Sequence, residues 1–156
     1  MKKSLTLLFV MMAVLCVYSG AFAASGDFGI KAEILAPIQL VTVGDTLLDF
    51  GRVFKGSAET VVDPANPAPG TTAAEFQVVG EDGYEFEVTL PTTATISYNG
   101  NELTVDNFTT NLTNNIGALT GGNANFKVGG TLQAIPVDAV SGVYTGSATV
   151  TVEYKF

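Results

Sequence analysis

The sequence contains no histidine, and its single cysteine, Cys16, lies near the N-terminus. Without histidine there is no Ser-His-Asp or Cys-His nucleophile system, and the commonest zinc ligand is missing. Charge is scarce too, with 7 basic and 15 acidic side chains among 156 residues. Low charge combined with 47% apolar residues excludes a disordered acidic tail. The shortage of basic residues excludes the positive footprint that a nucleic-acid partner requires. No segment long enough for a surface helix carries a helical apolar stripe. These gaps together point away from enzymes and cofactor sites, towards a binding or building-block protein.

What is present begins with an export pattern. Lys2 and Lys3 give a positive start, Leu5 to Val17 is a nearly unbroken apolar run, and Ala21-Phe22-Ala23 offers a small-x-small cleavage site. This predicts a signal peptide over residues 1–23. The run is too short to span a membrane comfortably, and no later segment is apolar for long enough. Leu15 precedes Cys16 where lipidation requires a small residue, so a lipoprotein is not expected. Removing residues 1–23 leaves 133 residues with 5 basic and 15 acidic side chains and no cysteine. Such a domain, without disulfides, is held by burial and strand pairing. The expected location is outside the inner membrane, in the periplasm and then at the cell surface or beyond.

The rest reads as strands. β-Branched residues abound, and these fit a pleated surface better than a helix. The clearest alternation closes the chain, where Tyr144, Gly146, Ala148, Val150, Val152, Tyr154 and Phe156 share one face. Tyr84, Phe86 and Val88 likewise alternate with Glu85 and Glu87. Further strands are predicted over 47–54, 59–62, 74–79, 95–98, 103–108, 124–128 and 131–135. Asp82-Gly83, Asn99-Gly100, Gly121-Gly122-Asn123, Gly129-Gly130 and Ser141-Gly142 supply the turns. The proline-rich stretch from Asp63 to Gly70 is expected to be an exposed loop. Short strands separated by turns in a domain of this size imply an all-β, antiparallel sandwich.

Catalytic and metal patterns are nearly empty. Glu85 and Glu87 share a face, but opposite Tyr84 and Phe86 they read as its solvated side. No spacing matches a calcium loop of alternating aspartates, and the glycines from Gly121 to Gly130 follow no strand-to-helix pattern. Catalytic, cofactor and metal residues are therefore all assigned as none.

The two ends of the exported chain carry the functional signal. In residues 24–36, Phe28, Ile30, Ala32 and Ile34 occupy alternate positions, so one edge of an extended segment is apolar. The last strand would expose an apolar row and unpaired backbone groups if left without a neighbour. A partner strand is the natural remedy, and residues 24–36 have a suitable pattern. Folding back onto its own chain would close a monomer over residues 37–156. Inserting into the next copy would give a fibre. Burying the four apolar side chains contributes on the order of 5–9 kcal/mol before ordering costs in either case.

Several motifs occur in an order that resembles a known family. Leu48-Asp49-Phe50-Gly51-Arg52-Val53-Phe54 followed by Gly56 is similar to the opening of a bacterial exported domain of unknown function (number four-four-zero-two). Ala74-Glu75-Phe76-Gln77-Val78-Val79-Gly80, Tyr84 to Pro91, Thr104 to Phe108, Phe126 to Leu132, and Gly142 to Gly146 with Val150 to Tyr154 resemble its later segments. The final strand also resembles that of chaperone–usher pilins, whose immunoglobulin-like fold lacks one strand. A periplasmic chaperone lends that strand first, and the next subunit's N-terminal extension then replaces it at the usher. That resemblance implies Phe28, Ile30, Ala32 and Ile34 as donor side chains. It implies Tyr144, Ala148, Val150, Val152 and Tyr154 as the lining of the acceptor groove. Many such relatives carry a disulfide, which the exported chain lacks.

Three functions fit these features. The foremost is a structural subunit of a bacterial surface filament or fimbria, self-associating by strand exchange. The second is a self-contained secreted sandwich that binds a glycan or a protein. The third is a small outer-membrane barrel, suggested by the aromatic C-terminus but opposed by strands shorter than the ~9–11 residues a membrane requires.

Overall fold

The computed structural model describes residues 23–156; the predicted signal peptide, Cys16 included, lies outside the described residues except for Ala23. Ten strands follow in order: β1 (Gln39–Thr42), β2 (Thr60–Val62), β3 (Ala74–Val79), β4 (Glu85–Thr89), β5 (Thr93–Tyr98), β6 (Asn101–Thr110), β7 (Ile116–Ala118), β8 (Asn123–Leu132), β9 (Thr145–Gly146) and β10 (Thr151–Lys155). One 3-10 turn, Thr113–Asn115, precedes β7, and no α-helix occurs among the described residues. The protein is all-β.

Every strand pair is antiparallel. The larger sheet runs β1-β3-β8-β6-β5-β9, with β2 pairing the far end of β8, and the smaller runs β10-β4-β7. Alternation decides which side chains point inward. In β4, Phe86 and Val88 are buried while Glu85, Glu87 and Thr89 face solvent. The core gathers Phe86 and Val88 from the smaller sheet with Val78, Phe126 and Val128 from the larger, and Leu119 between strands. Phe126 stacks on Phe76 at 5.5 Å and tilts against Phe86 at 6.3 Å. A second cluster of Val105, Leu132 and Ile135 packs with Phe50 and Leu103.

The predicted turn at Asn99-Gly100 forms as expected. Both residues take positive φ, 47° and 76°, which suits the two-residue hairpin joining β5 to β6.

Three expectations are corrected, and two strands fall outside the predicted set. Gly129-Gly130, read as a turn, lies inside β8, which merges the predicted strands 124–128 and 131–135 up to Leu132. A Cβ on Gly129 would collide with the Val62 carbonyl oxygen, so this glycine permits close strand approach. The span 47–54 is no strand; its only ladder contact is the bridge Asp49–Thr72. The final alternating run is two strands in different sheets, because the chain leaves β9 on β5 and joins β4 as β10. Finally, β1 and β7 lack a legible signal, β1 following Pro37 and β7 being a three-residue strand with Gly117 at its centre.

Candidate functional site

The crossing between β9 and β10 creates the most distinctive surface of the domain. β10 pairs with β4 along one edge only and ends the smaller sheet, and β9 likewise ends the larger one. Half of the backbone N–H and C=O groups of an edge strand point away from its only neighbour, which makes a template for another strand. The segment that crosses from β9 to β10 borders an apolar groove of about 250 Å³, lined by Leu47, Phe50, Leu90, Phe108, Ala148 and Val150 among others. It is roomier than the ~150 Å³ apolar cavity that admits a benzene ring, so it has space for inserted side chains.

Each residue of the predicted acceptor set has a definite place. Ala148 and Val150 line the groove. Val152 and Tyr154 pack, partly buried, against the core. Tyr144 lies elsewhere: its ring meets Tyr98 at 5.8 Å and its hydroxyl donates to the Val140 carbonyl at 2.9 Å. Tyr144 precedes the switch between sheets, so the alternation that grouped it with Val150 does not put it in the same groove. The predicted donor residues are exposed, Phe28 by 82%, Ile30 by 85% and Ile34 by 93%. The chain forms no strand from Ala23 to Ile38.

Tyr154 has a second role that alternation alone does not reveal. Its hydroxyl donates to the Ala36 carbonyl at 2.8 Å and accepts from the Glu81 N–H at 2.6 Å. The Glu81 carboxylate in turn accepts from the Ala36 N–H at 2.9 Å. This closed ring of bonds fixes the chain at Ala36 beside the C-terminal end of β10.

The outer face of the smaller sheet is acidic. Glu153 stands directly across from Glu87, and Lys155 across from Glu85. The groove residues Leu47, Phe50, Leu90 and Phe108 were not legible as site residues, since three of them come from loops or strand ends brought together by the fold. A second cleft, about 700 Å³, is lined by Asp49, Arg52, Phe54, Ser57 and Thr71 among others, and none of the predicted site residues lies there. No helix among the described residues is long and apolar enough to cross a membrane.

Residues 38–154 match the family model of a domain of unknown function (DUF4402), and the chain belongs to that family. No curated protein matches the chain. No solved structure matches it either.

Proposed function

We propose that this DUF4402 member is an exported structural subunit of a bacterial surface filament or fimbria-like assembly, built by β-strand complementation. Its two sheets would form an immunoglobulin-like sandwich that a neighbouring copy completes. Residues 24–36 of one copy would run along the free edge of β10 in the next. Phe28, Ile30, Ala32 and Ile34 would then face the surface formed by Ala148, Val150, Val152 and Tyr154. The observation that carries this reading is the coincidence of an unpaired edge strand with an apolar groove, in a chain that also holds an exposed alternating apolar segment.

Strand direction favours exchange between copies over closure of a single one. Ala36 is tied beside the C-terminal end of β10. A segment turning back from there along its own β10 would run parallel to it. The segment of another copy is free to run antiparallel, which gives the more stable ladder. A non-closing head-to-tail interface of this kind yields a fibre. A periplasmic chaperone and an usher are the partners such a route would use. The periplasm and then the cell surface are the corresponding locations.

The test is electrophoresis of the exported chain without boiling. The intact chain is expected to give a ladder of multimers, and the chain lacking residues 24–36 a single monomer band. A monomer band from the intact, concentrated chain contradicts exchange and supports a self-contained domain.

A further inference from the structure

We infer that Lys31 of one copy pairs with Glu153 of the next and sets the register of the exchanged strand; this presupposes the strand exchange proposed above.

The starting point is an uncompensated charge. Glu153 and Glu87 are direct cross-strand neighbours on the outer face of the smaller sheet. Like charges in that position are destabilising. The ion pairs among the described residues are Lys31–Glu33 and Lys127–Glu75, so neither Glu87 nor Glu153 has a cationic partner. Lys155 is across from Glu85, not from Glu153. On its other flank Glu153 borders no strand, because β10 ends the sheet. A cation delivered along that flank would relieve the repulsion.

Residues 24–36 contain one basic side chain, Lys31. If Phe28, Ile30, Ala32 and Ile34 face the apolar side of β10, that of Val152 and Tyr154, the odd-numbered residues face outward, on the side of Glu153 and Lys155. Lys31 and Glu33 already share a side, with the ammonium 3.6 Å from the carboxylate and both side chains well exposed. Such an exposed pair is weak and exchanges readily.

Register then follows from counting. Antiparallel pairing of Lys31 with Glu153 places Ile30 opposite Tyr154, Ala32 opposite Val152, Ile34 opposite Val150 and Phe28 opposite Phe156. Every apolar donor meets an apolar residue of the edge. A two-residue slip one way sets Lys31 against Lys155 and Glu33 against Glu153, two like-charge pairs. The same slip the other way puts Gly29 beside Glu153 and leaves the Glu87–Glu153 repulsion standing. A one-residue slip turns the apolar row towards water. Lys31 is thus the specificity-determining residue of the joint and Glu153 its receiver.

Charge reversal in the full exported chain tests this, with assembly followed by sedimentation at low ionic strength. Lys31→Glu alone and Glu153→Lys alone each create a like-charge joint, expected to weaken assembly by about two- to thirtyfold. The double variant K31E/E153K is expected to assemble nearly as the parent does. An equimolar mixture of the two single variants is also expected to recover, because alternating copies then present opposite charges at every joint. Both deficits should shrink at ~1 M salt. Single variants that assemble like the parent overturn the Lys31–Glu153 pairing while leaving strand exchange standing. Rescue in the double variant without rescue in the mixture places the pair within one chain and overturns pairing between copies. A parent chain that stays monomeric throughout overturns the exchange itself.

Discussion

The Tyr154 hydroxyl donates a 2.8 Å hydrogen bond to the carbonyl of Ala36, joining the last strand to the residue where the chain enters the domain. Because the same oxygen accepts from the Glu81 N–H, it satisfies two backbone groups at once. The bond thereby fixes Ala36 beside the C-terminal end of β10, the direction on which the proposed exchange between copies rests.

Tyr154→Phe keeps the ring, which packs edge-on to Tyr84 at 5.8 Å, and deletes only the hydroxyl. The Ala36 carbonyl and the Glu81 N–H then lose a partner. Stability is expected to fall by about 1–3 kcal/mol, measured by denaturant unfolding. The fold should persist, and proteolysis near Ala36 should accelerate.

Gly129→Ala introduces a methyl group aimed at the Val62 carbonyl and the Pro64 ring. Two backbone segments would have to separate, and β2 would lose its register on β8. The expected destabilisation is about 1–3 kcal/mol, readable as a lowered thermal midpoint. An unchanged midpoint would show that β2 does not sit as closely on β8 as described.

Val152→Asp places a carboxylate against the core formed by Phe86 and its neighbours. A loss of about 2–4 kcal/mol is expected, with impaired folding whether or not other copies are present. Circular dichroism and soluble yield both report it.

Much of the architecture was legible because alternation survives wherever a strand has one buried face. Tyr84 to Val88 shows this: Phe86 and Val88 are buried and the two glutamates are exposed, as the pattern requires. Legibility failed where tertiary contact overrides local pattern. Gly129 and Gly130 look like a turn because glycine is usually conformational relief, yet here its value is the missing side chain beside Val62. The run from Tyr144 to Phe156 reads as a single strand because alternation does not record which sheet a residue joins. Within the site, Ala148 and Val150 followed from alternation, but Tyr144 did not. Phe50 and Leu90 reach the groove only through the fold. The opposition of Glu153 and Glu87 likewise depends on a pairing register that only the folded structure supplies.

Ile30→Asp provides the most direct test of strand exchange. Ile30 is 85% exposed in the isolated chain, so the substitution should leave the unfolding midpoint of the monomer unchanged. It would set a charge against Tyr154 on the apolar side of the neighbouring copy's last strand, and assembly is expected to weaken at least about a hundredfold. A folded variant that no longer forms multimers is the expected result. A variant that unfolds as a monomer, or that assembles like the parent chain, would contradict exchange between copies.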